Sequence, residues 1–266
     1  MQHGFKPANE AMPKWDEAAS KALELDSTLV EIIGWNAISA TWYEWNWDRA
    51  GKEYRRAISI NPNYAFAQAY YSHYLAIIGR AEEGLSHGEL ATKLDPFNSL
   101  YLSVHGQALK NARKYGEALT LLEDLIRDEP DQGIGLPALW AVYHELDRYD
   151  DALETARKIY ALKGQDAMVE ALEAGYMEGG YRMAMQRMAE TLIAYKDTTY
   201  IPNWQICTMC CRAEMKEEAL EWLEIAYEAH DPNIPYIPID PLFDFIREEK
   251  RFKKVLNALN LPKYKK

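Results

Sequence analysis

The sequence is poor in the materials of several kinds of chemistry. Its 266 residues hold three cysteines, Cys207, Cys210 and Cys211, grouped in one short stretch. Thiols so few and so close cannot staple a chain of this size, which excludes a disulfide framework and leaves them reduced. No uncharged apolar run approaches the roughly 18 residues a membrane span requires, and Met1-Gln2-His3-Gly4 opens no charged-then-apolar leader. The expected compartment is therefore the cytoplasm, without membrane insertion. Positive charge is also in short supply, since 30 Lys and Arg face 41 Asp and Glu, a net of −11 at pH 7. Such a chain repels phosphate backbones, so nucleic acid is not an expected partner. Nor do the glycines build a nucleotide loop, because "MEGGYR" at 177–182 lacks the lysine and the flanking strand that such a loop needs.

What the sequence does have is a period. "AISINPNY", "ATKLDPFN" and "LIRDEPDQ" place Pro62, Pro96 and Pro130 at steps of 34 residues, and the next step lands on Gly164 in "IYALKGQD". Twelve residues before each breaker stands a small residue: Ala50, Gly84, Ala118 and Ala152. Small side chains there allow two helices to approach closely. The unit ending at Pro62 adds Tyr54 and Ala57 on the same face, with Gly34 and Ala37 on the helix before it. The unit ending at Pro130 carries Gly106, Ala118, Leu122 and Leu125, and the unit ending at Gly164 carries Leu139, Tyr143, Ala152 and Ala156. "KEEALEWLEIAYEAHDP" repeats the second-helix signature once more with Ala219, Leu223 and Ala226.

This spacing and its small-aromatic-proline skeleton resemble the tetratricopeptide repeat. The resemblance implies an all-α fold, an α-solenoid in which helix pairs stack into a right-handed superhelix. One array over 1–266 is expected, with clear repeats at 31–64, 65–98, 99–132 and 133–165 and a further repeat at 200–232. Residues 166–199 form a degenerate repeat, because Ala184 and Met188 fit only if the register slips. Residues 9–27 look like the second helix of an incomplete repeat, so the chain is expected to be part of a longer protein. Pro232, Pro235 and Pro238 forbid helix and sheet alike, predicting an extended strap before capping helices over 233–262. At a finer level, "EWNWDRAGKEYRRAISINPNYAFA" and "IDPLFDFIREEKRF" are similar to the C-terminal repeat region of bacterial multidomain signalling proteins. In that family the repeats follow a cyclase, a winged-helix regulator or a Ser/Thr kinase domain.

The aromatic cluster "TWYEWNWDRA" admits two readings. The 34-residue frame puts Trp42 and Tyr43 at the end of a first helix and Trp47 at the start of a second, with Asn46 or Asp48 as cap and one extra residue in the turn. Packing, with Trp45 and Trp47 covering the joint between neighbouring units, is favoured over a ligand cage. "CTMCC" would supply only part of a zinc site, which needs four ligands, so buried thiols on a first helix are the simpler reading. No metal and no cofactor are expected. The scattered histidines have no serine, cysteine or carboxylate at a catalytic spacing, and no catalytic residue is assigned.

Function is therefore expected from a surface. Successive first helices line the concave groove of such a solenoid, and grooves of this kind take an extended peptide or a partner helix. The candidate groove residues are Trp35, Trp42, Tyr70 and His73, then Ser103, Gln107, His144 and Trp204. The wall lacks the repeated Lys or Arg and Asn pairs by which chaperone-adaptor repeats grip a C-terminal carboxylate. The expected role is a sensory or docking module for a protein or peptide partner, with contact to an effector domain of the same polypeptide in that setting. A freestanding scaffold is the alternative within the binding class, and a hydrolase centred on 166–199 the alternative outside it.

Overall fold

A computed structural model describes residues 8–262, with side chains from Lys14 onward except Asp16. The Met1-to-Gly4 segment, read above for a leader, lies outside the described residues. Helix α1 (Ala8–Leu25) precedes four helix pairs: α2 (Val30–Trp42) with α3 (Trp47–Ile60), α4 (Ala65–Ile77) with α5 (Ala81–Leu94), α6 (Ser99–Asn111) with α7 (Tyr115–Asp128), and α8 (Gly135–Glu145) with α9 (Tyr149–Leu162). Then come α10 (Asp166–Tyr195), the pair α11 (Asn203–Arg212) and α12 (Lys216–Glu228), two 3₁₀ turns at Ile234–Tyr236 and Pro241–Ile246, and α13 (Lys250–Ala258). The described residues contain no strand. The fold is an all-α solenoid with a right-handed superhelical path.

The two helices of a pair differ because their surroundings differ. A second helix such as α3 buries Trp47, Ala50, Gly51, Tyr54 and Ala57, one stripe at helical spacing, and leaves its charges in water. A first helix is sandwiched between its own partner and the next unit, so α4 buries Ala67 through Ile77 almost without interruption. The small positions that carry the period have no exposed surface at Ala50, Ala57, Ala118, Ala152, Ala156, Ala219 and Ala226. They are the closest points of helix crossing.

Turns within the pairs are set by one left-handed residue. It is Trp45 (φ 52°), Gly79 (φ 92°), Arg113 (φ 63°), Asp147 (φ 55°) and Glu214 (φ 55°) in successive regular pairs. The first of these turns occupies 43–46, one residue more than the turns at 78–80, 112–114, 146–148 and 213–215. Its cap is Asn46, whose side chain accepts from the Arg49 N–H at 3.1 Å.

Helix α10 is itself two helices joined at Gly179-Gly180, where Gly180 has φ 75° and ψ −161°. Ala184 stands two residues early in the 34-residue frame: the two-glycine joint is one residue shorter than the three-residue turns elsewhere, and the loop 163–165 is one shorter than the loops 61–64 and 95–98. The halves meet where a Cβ on Gly175 would lie 2.6 Å from the Ala184 Cα, so only glycine permits the crossing.

The proline segment departs from the expected extended strap. Proline's fixed φ and missing N–H suit the first turn of a helix, and here Pro235 and Pro241 start 3₁₀ turns. Phe243 and Phe252, both fully buried, close the apolar end of the array.

If Ala118 marks a tight crossing, Ala118→Leu should overpack it and cost roughly 1–3 kcal/mol. Thermal unfolding followed by circular dichroism checks this, and an unchanged midpoint would contradict the crossing.

Candidate functional site

The first helices α2, α4, α6, α8 and α11 present one wall to the concave side, and the C-terminal segment runs across it. Its hold begins at the first pair. The His230 imidazole donates from Nε2 to the Tyr43 carbonyl at 2.7 Å and stacks on Trp45 with ring centroids 3.6 Å apart. The Trp47 Nε1–H donates to the Leu259 carbonyl at 2.8 Å. Trp45 and Trp47 therefore join the first pair to the end of the chain, and the Trp47 carbonyl also accepts from the Tyr74 hydroxyl of the next pair at 2.8 Å. Their rings find partners nearly 200 residues away, in a contact no local pattern announces.

In the middle of the wall, Tyr236 meets His73. A backbone carbonyl can only accept, so the His73 ring donates from Nε2 to Val104 at 2.7 Å. Its Nδ1 is then the acceptor for the Tyr236 hydroxyl at 2.8 Å. Burial drives the His73 pKa down to about 4, against the smaller upward pull of the Val104 hydrogen bond. Farther along, the buried ammonium of Lys110 pairs with Asp240 at 2.7 Å. Burial alone would raise the Asp240 pKa, but Lys110 and the Leu242 N–H outweigh it and hold it below the usual value. Arg113 bonds Asp244 at 2.5 Å on the outside.

The strap divides the wall into two zones. Toward the N-terminus runs a ladder of rings: Trp15 to Trp35 at 6.0 Å, Trp35 to Phe66 at 5.1 Å, Phe66 to Tyr70 at 4.8 Å, and Tyr70 to Trp42 at 5.8 Å. Tyr236 of the strap continues it, 6.1 Å from Trp42. Trp35 keeps 44 % of its surface in solvent. Toward the C-terminus lies a cavity of about 330 Å³ between α4, α6, α8, the end of α9, α11 and the strap.

Of the eight candidate groove residues, Tyr70, His73, Gln107 and Trp204 line this cavity. Trp35 stands in the exposed ladder. Trp42 is 1 % exposed, because Tyr70 and Tyr236 cover it, and so offers no surface to a partner. Ser103 is fully buried and its hydroxyl donates to the Ser99 carbonyl at 2.6 Å, one turn back on its own helix. His144 packs against the stacked rings of Tyr149 and Tyr181 away from the cavity lining, its Nδ1 buried without a partner. Burial, then the nearby charge of Arg212, pushes its pKa down to about 3. The cavity also holds charged residues that the sequence reading missed: Lys110, Asp240 and Arg212. Lys110 was detectable as the residue one turn after Gln107, on the same helix face. Arg212 closes a cysteine-rich helix, where the thiols drew the attention.

Those thiols are internal. All three are buried, the Cys207 Sγ–H donates to the Ala219 carbonyl at 3.5 Å, and burial raises the pKa of Cys207 and of Cys210. Among the described residues no three His, Cys, Asp or Glu side chains gather as a metal site would require.

No family model matches the chain, and no curated protein matches it either. Among solved structures it is similar to PilW, a widely conserved type IV pilus biogenesis factor, at 16 % identity over 94 % of each chain with a TM-score of 0.51. It is also similar to PilF of Pseudomonas aeruginosa, at 18 % identity over 92 % of this chain and 99 % of that one, TM-score 0.50. Both are helical proteins of the tetratricopeptide type, so this chain has a tetratricopeptide-type fold. At such identities the likeness concerns the fold alone.

The strap's hydrogen bond gives a stability prediction. Tyr236→Phe should leave the buried His73 Nδ1 without a donor and cost about 1–3 kcal/mol. Acid should act in the same direction. The folded His73 value lies below its ordinary 6.5, so the unfolded chain takes up the proton first. Its contribution is complete above about pH 6.5 and is lost as the pH falls toward 4. Melting midpoints measured from pH 7 to pH 4 should fall steeply in wild type and less steeply in His73→Gln; identical slopes would contradict the assignment.

Proposed function

We propose that the chain is a non-catalytic docking module that takes a protein or peptide partner on the open, N-terminal zone of its concave wall. The observation that carries this reading is the aromatic ladder, in which Trp35, between Trp15 and Phe66, keeps nearly half its surface in solvent although it sits among packed rings. Large rings held rigid by neighbours lose little freedom on binding, and binding energy concentrates in a few such anchors. The wall beyond Tyr236 is covered by the strap, so a partner segment would lie along α2 and α4.

The pairing of charges over 166–195 speaks for binding and against hydrolysis. Arg187 bonds Glu178 at 2.7 Å and Glu190 at 2.8 Å, and Arg157 and Arg182 are bonded to Glu173 and Glu214. Carboxylates tied up in this way are poor candidates for general bases. No helix among the described residues is long and apolar enough to cross a membrane, and three free thiols suit a reducing compartment. The cytoplasm is the proposed location. The larger setting is a bacterial signalling protein in which this array follows an effector domain; the motif "IDPLFDFIREEKRF" supports it, and the genomic reading frame upstream of Met1 tests it.

The docking face is tested by affinity capture from the source organism with wild type and three variants. Trp35→Ala and Tyr70→Ala should each weaken the recovered partner by about 2 kcal/mol or more, as hot-spot truncations do. Arg182→Ala, outside the wall, should leave it unchanged. Folded Trp35→Ala and Tyr70→Ala proteins that bind the partner at wild-type affinity would move the site elsewhere.

A further inference from the structure

The cavity behind the strap meets the docking face at Tyr70 but has its own chemistry. Three cations and one carboxylate line it: Lys110, Lys163, Arg212 and Asp240. In a chain with a net charge of −11 this inward excess of positive charge runs against the composition. Lys110 is already neutralised by Asp240, at 2.7 Å. Lys163 lies at the exposed rim, its ammonium 5.8 Å from the centre of the Tyr160 ring.

Arg212 is the uncommitted charge. It is nine-tenths buried, and its guanidinium carbon stands 4.3 Å over the Trp140 ring. Of the five N–H donors a guanidinium carries, one reaches the Thr208 carbonyl, from Nη1 at 3.3 Å. The Tyr181 hydroxyl accepts a second hydrogen bond from the guanidinium, beside the one it takes from the Trp140 Nε1–H at 3.0 Å. Nε has no partner. No carboxylate among the described residues bonds Arg212 directly: Asp240 is bonded to Lys110, and Glu145, which accepts from the Tyr115 hydroxyl at 3.3 Å, reaches the guanidinium only through its field. A buried guanidinium with no carboxylate in hydrogen-bond contact is a costly arrangement, and an anion entering the cavity would relieve it.

The rest of the lining says which anion. One uncommitted buried cation suits a single negative charge, and the planar guanidinium fork matches a carboxylate. A phosphate would need further donors, but the N–H groups of Ile134 and Gly135 at the start of α8 are both taken by the Gln132 side chain. The lining mixes polar groups with apolar side chains, Val104, Ile134, Met209 and Leu242 among the latter. A volume of about 330 Å³ is at the lower end of small-molecule sites, which run from roughly 300 to 1,000 Å³. We infer that this cavity binds a small organic monocarboxylate, its carboxylate on Arg212 and its hydrocarbon body against the walls of α6, α8 and α11 and the strap.

Isothermal titration calorimetry with octanoate and 3-phenylpropionate tests the site, with the fluorescence of the lining residues Trp140 and Trp204 as a second readout. The acids should bind wild type, and their neutral amides, octanamide and 3-phenylpropionamide, should bind about tenfold or more weakly, since a charge-assisted hydrogen bond is lost. Inorganic phosphate should not displace the acids. Arg212→Met should reduce the acids to the affinity of the amides, while the exposed-arginine control Arg182→Met and the docking variant Trp35→Ala should bind them as wild type does. Failure of both acids to bind at millimolar concentration, equal affinity of acid and amide, or displacement by phosphate would each overturn the assignment. The comparison of acid with amide uses wild type alone, so it decides the matter even where Arg212→Met does not fold.

Discussion

The hydrogen bond from the Tyr236 hydroxyl to His73, 2.8 Å long and some 160 residues from end to end along the chain, governs what the concave side can offer. A solenoid groove is ordinarily one continuous surface. Here the bond, with the Lys110–Asp240 pair beside it, pins the C-terminal segment across the wall and splits it into an open ladder of rings and a partly covered, charged cavity. Both zones owe their character to that one crossing. Without the strap, Trp42 would lose a covering ring and Lys110 its counter-ion, so the cavity would open to solvent with a second unpaired cation.

The helical frame was legible in the sequence because packing imposes it locally. Two helices crossing closely tolerate only small side chains at the contact, and the residues that show the period, Ala50, Gly84, Ala118 and Ala152, are the ones the crossing constrains. The slipped register near Ala184 was visible for the same reason. Half of its cause was written in "MEGGYR", since two glycines form a tighter joint than three ordinary residues, and the other half lies in the short loop 163–165. The left-handed turn residue recurs in the same frame but left no signature: Trp45, Gly79, Arg113, Asp147 and Glu214 share a backbone conformation and no side-chain chemistry. The turn is held by its flanking helices strongly enough to impose a conformation that L-residues otherwise avoid.

The site was legible only in half. Residues facing the axis can be counted off a first helix, and Tyr70, His73, Gln107 and Trp204 follow from that counting. Which of them a partner or ligand can reach depends on where residues 230–260 lie, and that path is fixed by contacts at sequence separations near 200, as in Trp47 to Leu259. Trp42 shows the consequence. The spacing puts it on the candidate groove face, and a ring from the far end of the chain sits on it.

The closure also changes how the array should be regarded energetically. In an open repeat array each unit interacts with its neighbours alone, so stability is a sum of local terms and the ends fray first. Contacts of His230 with Tyr43 and Trp45, and of Trp47 with Leu259, tie the first pair to the last segment. Neither end can then loosen without releasing the other. Because the strap between those ends covers the cavity, opening at either terminus is coupled to exposure of Lys110 and Arg212, the charges whose burial is hardest to sustain without partners. The groove that a sequence reading assigns to docking is thus also the seam that holds the two ends of the molecule together.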